Sequence, residues 1–521
     1  MYFFSKNICS RNFGECLGFC LFILGILLLL FMLLFGLSAT LWDDAFFSIY
    51  RINDFSFLNL LNPTMVIDGF TFCDTHHPLY YLLLKIWLEF FRIFTHNVVF
   101  SILWLKLFSL IPIILLYIFG FVRIRKDFGW LSFGIFSFCI TTMPKLIFYA
   151  TDIRMYSWAM FFITLSFYYG YLIIREFNKK NWIIFTLFNL FAVYTHYYCV
   201  IFVGFLYLLI LAYLILKNKL LLRNWILSVV IMVLFYVPWI VLLIYRSTMF
   251  STSNDQLWVR PGFQTVSQLF SFIFSPIKLD YSGIQLTGEY YGLTILSLLL
   301  FTSIIFSLLI YCHDRHYIFR IRKTEKGFNS FLIEGGVFLL LISMFFVLLF
   351  SFFVKPIFTF RYVTPLLGCF WLSFSVLLAK LYLKKLVFTP TIVIILLVGL
   401  TNTITFVDFE NYRGIASFEF NSYTNQINEN DMIIFVGQPC WRGYGFEIYF
   451  PNNLMIVWNN KSSIIKNISA GLRNGKIWIF DMGDYLYDFN NLLLENDLRL
   501  VEVGEIDPSF NYPHRVYLIE N

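Results

Sequence analysis

Leu17-Gly18-Phe19-Cys20-Leu21-Phe22-Ile23-Leu24-Gly25-Ile26-Leu27-Leu28-Leu29-Leu30-Phe31-Met32-Leu33-Leu34-Phe35-Gly36-Leu37 runs on without a charge to Leu41, and then turns abruptly into Trp42-Asp43-Asp44-Ala45. A helix that crosses a bilayer needs about 20 mostly apolar residues, and this run supplies them. It is long for the apolar core of a signal peptide, and no small-residue cleavage pattern follows it, so we expect a retained membrane anchor. Two carboxylates at the foot of such an anchor mark the point where the chain leaves lipid.

The rest of the 521-residue chain repeats this alternation. It is 59% hydrophobic and 13% charged, with 66 phenylalanines and a mean hydropathy of +0.75; a soluble globular chain is about half apolar and about a quarter charged. So much apolar surface needs lipid as its solvent, and in lipid the backbone satisfies its own polar groups as helix. Eleven segments qualify or nearly qualify as spans, beginning near Glu15, Asn97, Gly129, Tyr156, Asn181, Tyr197, Trp225, Tyr291, Phe331, Tyr362 and Val387. The expected class is an α-helical polytopic membrane protein of about 11–13 transmembrane helices with a small C-terminal α/β domain. The nine cysteines are scattered with no CxxC pair, which speaks for core residues and against a disulfide framework or a zinc site.

The basic residues orient the bundle. Lys6 and Arg11 precede the first span. Arg123, Arg125 and Lys126 follow the second; Arg175, Lys179 and Lys180 the fourth; Lys217, Lys219 and Arg223 the sixth. His313–Lys326 holds five Arg or Lys residues after the eighth, and Lys380, Lys384 and Lys385 follow the tenth. All fall on one face if the N-terminus is cytoplasmic, as the positive-inside rule requires. The net charge of +7 is therefore spent on orientation and not on a nucleic-acid partner. By parity, loops 40–96, 149–155, 246–290 and Lys355–Arg361 face outward, with everything after about residue 407. Pro78–Phe94 is short for a span and carries Lys85, Glu89 and Arg92, so we expect a helix lying in the interface. Residues 1–407 then form the membrane domain and 408–521 an extracytoplasmic domain, in which Met432–Val436 and Ile477–Phe480 read as strands.

Reactive side chains recur on the outer face. Asp43 and Asp44 are adjacent, and a carboxylate beside another is harder to ionise, which moves it toward the range of a general base. Cys73-Asp74-Thr75-His76-His77-Pro78-Leu79-Tyr80-Tyr81 leads into an apolar helix, and its simplest reading is interfacial anchoring. Asp152 and Arg154 lie between two apolar spans, where facing lipid costs about 2.5–3.5 kcal/mol per charge; they should face a polar cavity or each other. The planar fork of an arginine there suits a phosphate. Tyr194-Thr195-His196-Tyr197, Lys355 and Arg361-Tyr362 return to the same face. Each alone is ordinary, and their convergence is the signal. Asp43, Asp44 and Asp152 offer oxygen ligands to a divalent cation, although neighbouring cations can do the same electrostatic work.

In order and context these stretches resemble the C-type glycosyltransferases of the protein O-mannosyltransferase and aminoarabinose-transferase kind, polytopic enzymes that use polyprenyl-phosphate-linked sugars. That family's first-loop Asp-Glu motif is matched by Asp43-Asp44-Ala45, its His-Pro-Pro-Leu-Tyr-Tyr stretch by His76–Tyr81, and its acidic-x-Arg-Met-Tyr stretch by Asp152–Tyr156. Its Tyr-Thr-His-Tyr and Arg-Tyr stretches are matched by Tyr194–Tyr197 and Arg361-Tyr362. The likeness covers roughly residues 15–385, with Asp44 in place of Glu and His77 in place of the first Pro.

The resemblance implies Asp43 as general base with Asp44 as helper. It implies a donor phosphate near Arg154 supported by Arg361, Lys355 or His196, and supporting roles for Asp74, His76, His77, Asp152 and Tyr156. The implied partners are a polyprenyl-phosphate sugar, membrane lipid and an acceptor of unspecified class. The competing expectation is a transporter or lipid-linked-sugar flippase. That function favours polar residues at the bilayer midplane in repeated halves; here the charges sit at helix ends and no repeat is visible. Loop 246–290, with Trp258, Arg260 and Pro261, is a candidate cover for the acceptor site, and Trp441, Tyr444 and Tyr449 of the tail are candidates for stacking on sugar.

Overall fold

The computed structural model describes residues 2–37, 41, 43–61, 64–67, 70–73, 76–94, 98–176, 178–217, 219–249, 261–275, 291–319, 327–354, 357–437, 445–450, 452–458, 464–483, 485–506 and 513–520. Asp74, Trp258, Arg260, Lys355, Trp441 and Tyr444, and the side chain of Asp43, lie outside the described residues.

The apolar runs form α1 (Tyr2–Gly36), α5 (Val98–Phe119), α6 (Arg125–Thr142), α8 (Tyr156–Arg175), α9 (Lys179–Thr195), α10 (Tyr198–Lys217), α11 (Leu222–Met249), α13 (Tyr291–Phe319), α14 (Gly327–Phe353), α15 (Thr364–Lys380) and α16 (Lys385–Thr424). Among the described residues nine stretches are long and apolar enough to cross a membrane. The chain is thus a polytopic membrane protein, and the difference from eleven has two sources. One stretch, Ser101–Thr142, counts as a single run of 42 residues but holds the second and third expected segments as two helices folded against each other: Tyr117 OH donates to the Ser137 carbonyl at 3.1 Å, a pair that one continuous helix would hold about 30 Å apart. The run loosens in a π-turn at Gly120–Ile124 and breaks at Gly129, whose φ of +85° suits glycine. The other source is α9, which at 17 residues stands at the lower end of the length that crosses a bilayer.

α8 and α15 are enclosed along almost their whole length, whereas α11 and α13 turn Val233, Leu234, Ile244, Ile295, Phe306 and Leu309 outward, a surface that only lipid tolerates. α1 and α6 approach each other through Gly18 and Gly134. A Cβ on Gly134 would lie 1.9 Å from the Gly18 carbonyl oxygen, so the backbones touch where side chains are missing, as membrane helices favour.

Between α1 and α5 the chain forms α2 (Asp43–Asp54), α3 (Phe57–Leu60), an antiparallel hairpin of β1 (Thr64–Ile67) and β2 (Phe70–Cys73), and α4 (Pro78–Arg92). α4 has 15 residues, about 22 Å at 1.5 Å per residue, against a hydrocarbon core of about 30 Å. It buries Tyr80, Tyr81, Leu84 and Leu88 and exposes Ile86 and Phe90. Lys85 is buried as well and donates to the Ile52 carbonyl of α2 at 2.5 Å. A short helix with two unlike faces fits the membrane surface better than a crossing. α7 (Leu146–Thr151) and α12 (Phe263–Phe274) complete the helices at this end.

α16 is 40 residues long and carries the chain past residue 407 into a five-stranded sheet of order β4-β3-β5-β7-β6. Here β3 (Met432–Val436), β4 (Leu454–Trp458) and β5 (Ile477–Asp481) are parallel, and β6 (Arg499–Glu505) and β7 (Arg515–Glu520) join antiparallel. Side chains alternate across the sheet. Ile434, Val436, Ile477 and Ile479 pack under the helices Ile465–Asn474 and Leu486–Leu494, which contribute Ile468, Phe489 and Leu493. Ile433, Phe435, Trp478 and Phe480 join the core of the membrane part. With both faces covered, β3 and β5 read as unbroken apolar runs, and both expected strands are present.

Candidate active site

The site lies where α2, the turn before α4, the turn between α7 and α8, the turn between α9 and α10, and the start of α15 meet. Arg154 is its centre. The guanidinium is 2% exposed and is held by oxygens from two elements: Nη1 donates to the Asp44 carbonyl (3.3 Å), to Ser48 Oγ (3.2 Å) and to Tyr81 OH (3.3 Å). Asp44 and Ser48 share one face of α2 because they are four residues apart, and the Ser48 hydroxyl also donates to the Asp44 carbonyl at 3.1 Å. The Asp44 carboxylate accepts from Arg361 Nη1 and lies 4.0 Å from Arg154 Nε. Asp44 and Arg361 are 317 residues apart in the chain. One carboxylate is thus flanked by two guanidiniums.

His76 Nε2 is 3.2 Å from Arg154 Nη2. An arginine only donates, so His76 accepts there and is neutral with its proton on Nδ1. His196 is fully buried, and its Nδ1 accepts from the Tyr198 N–H at 3.2 Å; the ring proton therefore sits on Nε2. Its ring stacks on Tyr197 at 4.8 Å and meets Tyr362 edge-on at 4.8 Å. Burial pushes the His196 pKa well below the ordinary histidine value, and His76, His77, Arg154 and Arg361 push it the same way. It is a neutral donor at pH 7. Three buried polar atoms here, Arg154 Nε, Tyr156 OH and His196 Nε2, have no hydrogen-bond partner among the described residues. Buried donors are seldom left so.

Of the expected residues, Asp44, His76, Arg154, Tyr156, His196 and Arg361 come together. Asp152 is buried below them, its carbonyl accepting from the Arg154 N–H at 2.8 Å. His77 serves a different contact. Its Nε2 lies 2.6 Å from Tyr236 OH, and its ring sits against Tyr236 and Trp239, so it ties the start of α4 to α11. Tyr449 packs at 5.3 Å on Phe420 in the aromatic core of the C-terminal domain. Sequence reasoning missed Ser48, Tyr236 and Trp239, and gave Tyr81 no role. The i, i+4 spacing of Asp44 and Ser48 was the available signal for the first; nothing local marks the pair on α11.

Two guanidiniums converge on the Asp44 carboxylate, with Asp152 buried beneath them, and neutral donors in the same place have no hydrogen-bond partner among the described residues. Such an arrangement suits an oxyanion with several oxygens. Among the described residues no three His, Cys, Asp or Glu side chains gather as a metal set, and the charge of Asp44 is already balanced by arginines.

No protein-family model matches the sequence, and no curated protein matches it either. Solved structures do match. ArnT from Cupriavidus metallidurans in the apo state aligns with a TM-score of 0.54 at 12% identity, covering 95% of this chain and 97% of that one. The same protein bound to undecaprenyl phosphate aligns with a TM-score of 0.55 at 12% identity and the same coverage. At that identity the likeness speaks for the fold, and it spans both the helical bundle and the C-terminal domain. The chain shares the fold of that protein over nearly its whole length, as its motifs led us to expect.

Proposed function

We propose that this chain transfers a glycosyl group from a polyprenyl-phosphate-linked sugar to an acceptor at the outer face of a membrane. The acceptor is a protein, a glycolipid or a cell-envelope polymer. The observation that carries this reading is the convergence of Arg154, Arg361, His196 and Tyr156 beside Asp44. A lipid-linked donor accounts for a pocket at a helix-bundle surface, because its head enters sideways from the leaflet. The fold shared with ArnT, a protein solved with undecaprenyl phosphate, supports it. The grouping of basic clusters supports an outward-facing site: Lys384 pairs with Asp314 at 2.7 Å and Arg175 with Asp127 at 3.5 Å, away from the pocket. We assign the chemistry to residues 1–407 and an extracytoplasmic position to 408–521.

The reaction is a single inverting displacement. The acceptor hydroxyl or amine attacks the anomeric carbon and loses its proton to Asp43, while the bond from that carbon to the phosphate oxygen breaks. The lipid phosphate departs with the electron pair. Arg154 and Arg361, already positioned and desolvated, hold its growing charge, and His196 Nε2–H and Tyr156 O–H donate to its oxygens. The leaving group is a stable anion in water, so no general acid is required. Asp44 holds the two guanidiniums in register. Lys355 is assigned to the same phosphate, Asp74, His76 and Asp152 to supporting the pocket, and His77 to anchoring α4, which carries Tyr81, against α11.

The test is donor consumption by purified protein in native-like lipid, with a panel of radiolabelled polyprenyl-phosphate sugars. Wild type should release or transfer sugar. Asp43→Asn should reduce turnover by about 10²–10⁴-fold, the usual weight of a general base, in protein that remains folded. If no donor is consumed and labelled lipid crosses the bilayer, a flippase replaces this reading.

A further inference from the structure

We propose that Phe46 and Phe446 are positioning residues: together they form a stop through which the C-terminal domain fixes the rotation of α2, and with it the acidic pair at the start of that helix. The proposal rests on the glycosyl-transfer reading for its kinetic consequence, and on geometry alone for its structural one.

α2 has only 12 residues, too few to hold a helix rigidly without tertiary contacts. Its polar face is spoken for: Asp44 meets Arg361 and Arg154, and Ser48 meets Arg154. Phe46 is two residues from each, about 200° round a helix of 3.6 residues per turn, and therefore on the opposite side. There it is fully buried. Its ring centroid lies 4.1 Å from that of Phe446, in the segment that follows β3. The approach is close enough to demand glycine next door, since a Cβ on Gly445 would lie 2.5 Å from Phe46 Cβ and 2.7 Å from its carbonyl oxygen.

Phe446 is itself immobilised. It stacks on Phe435 of β3 at 5.1 Å and packs on Phe420 of α16 at 5.0 Å. Phe435 in turn stacks on Phe480 of β5 at 5.1 Å. A continuous aromatic column thus runs from the centre of the C-terminal sheet to the back of the helix whose front carries Asp44. Arginines grip that front and the column supports the back. Remove the column, and α2 can turn about its axis while Arg154 and Arg361 stay on their own elements.

The experiment uses full-length protein in lipid nanodiscs and compares Phe446→Ala, Phe446→Leu, Phe46→Ala and Phe46→Leu with wild type. Hydrogen exchange is read on the amides of α2, β3, β5 and α8, and polyprenyl-phosphate sugar turnover is read as kcat and KM. In Phe446→Ala the exchange of Ala45–Ile52 should rise about tenfold or more, while β3, β5 and α8 stay protected. A displacement of about 1 Å costs up to about 10²-fold in rate, so kcat should fall at least about tenfold. KM for the donor should stay within about twofold, because the phosphate is held by groups outside α2. Both leucine variants should restore most of kcat and of α2 protection.

Three outcomes overturn the proposal: α2 exchange unchanged in both alanine variants, kcat within twofold of wild type, or exchange rising in α8 together with α2. Wild type that consumes no donor, with α2 exchange responding as stated, would sink the glycosyl-transfer reading and leave the structural coupling standing.

Discussion

An arginine, a tyrosine and a facing aspartate meet at each end of α8, one arginine in the turn just before it and the other in its last turn, and the two sets are built differently. At its C-terminal end the Tyr168 hydroxyl donates to Asp127. Arg175 lies 3.5 Å from the same carboxylate, 3.5 Å from Glu176 and 3.4 Å from the Tyr171 hydroxyl. Each of these groups finds its partner inside the cluster. At the N-terminal end Arg154 also has a carboxylate, a serine and a tyrosine, yet its Nε, the Tyr156 hydroxyl and His196 Nε2 keep donors with no hydrogen-bond partner among the described residues. A cluster that closes on itself fastens helices together. One that keeps buried donors in hand accords with the phosphate-binding role proposed for it.

The largest expected effect breaks that comparison most directly. Arg154→Ala should lower donor turnover by about 10²–10³-fold, the cost of losing a preorganised donor to developing charge. Arg154→Lys should recover only part of it, since an ammonium cannot reproduce the fork. Arg175→Ala, at the other end of the same helix, should leave turnover within about threefold, as expected of an exposed ion pair. Equal losses at both ends would mean that α8 is a structural strut and that its charges carry no chemistry.

A second pair of substitutions sharpens the contrast because the two signs differ. Tyr168→Phe removes a satisfied bond to a carboxylate and should destabilise the protein by about 1.5–3 kcal/mol, with donor turnover unchanged. Tyr156→Phe removes a buried hydroxyl without a partner, so the free protein should be as stable as wild type or more so, by up to about 1 kcal/mol. Turnover should nevertheless fall about tenfold, the weight of one hydrogen bond of about 1.4 kcal/mol. Denaturant unfolding in detergent and donor consumption read the two effects separately. Destabilisation of Tyr156→Phe equal to that of Tyr168→Phe would mean that its hydroxyl is already satisfied.

Much of this arrangement was legible in the sequence, for reasons that also mark where legibility stops. Apolar runs must become helices in lipid, so the spans and the strands Met432–Val436 and Ile477–Phe480 announce themselves. Charges at helix ends cannot face lipid, so Arg154, Asp44 and Arg361 could be gathered on one face before any coordinates. The pairing of Asp44 with Arg361 could not, because nothing local links residues 317 apart. The break at Gly129 falls where two expected segments meet, and the two helices pack against each other there as separate spans; the π-turn just before it has no sign in the sequence. The resemblance put His77 among the supporting residues, beside His76. Successive residues in a turn point different ways, and its ring meets Tyr236 and Trp239 on α11, which no local pattern links to it.

The smallest expected effect is on pH dependence, and its sign follows from His196. Burial first, then the surrounding cations and histidines, hold its folded-state pKa well below the ordinary value of 6.5. In the unfolded chain it takes up a proton near pH 6.5, whereas in the folded protein it does so only at much lower pH. Between those limits the unfolded state binds more protons, so folding stability falls as pH drops below about 6.5 and is unaffected by this group above it. Unfolding midpoints of wild type should therefore decline from pH 7 to pH 5. His196→Asn, which keeps a neutral donor and removes the titration, should decline less steeply over that interval. Parallel slopes for the two proteins would mean that His196 stays solvated or paired in the folded state. One of the three unspent donors that distinguish the two ends of α8 would then be lost.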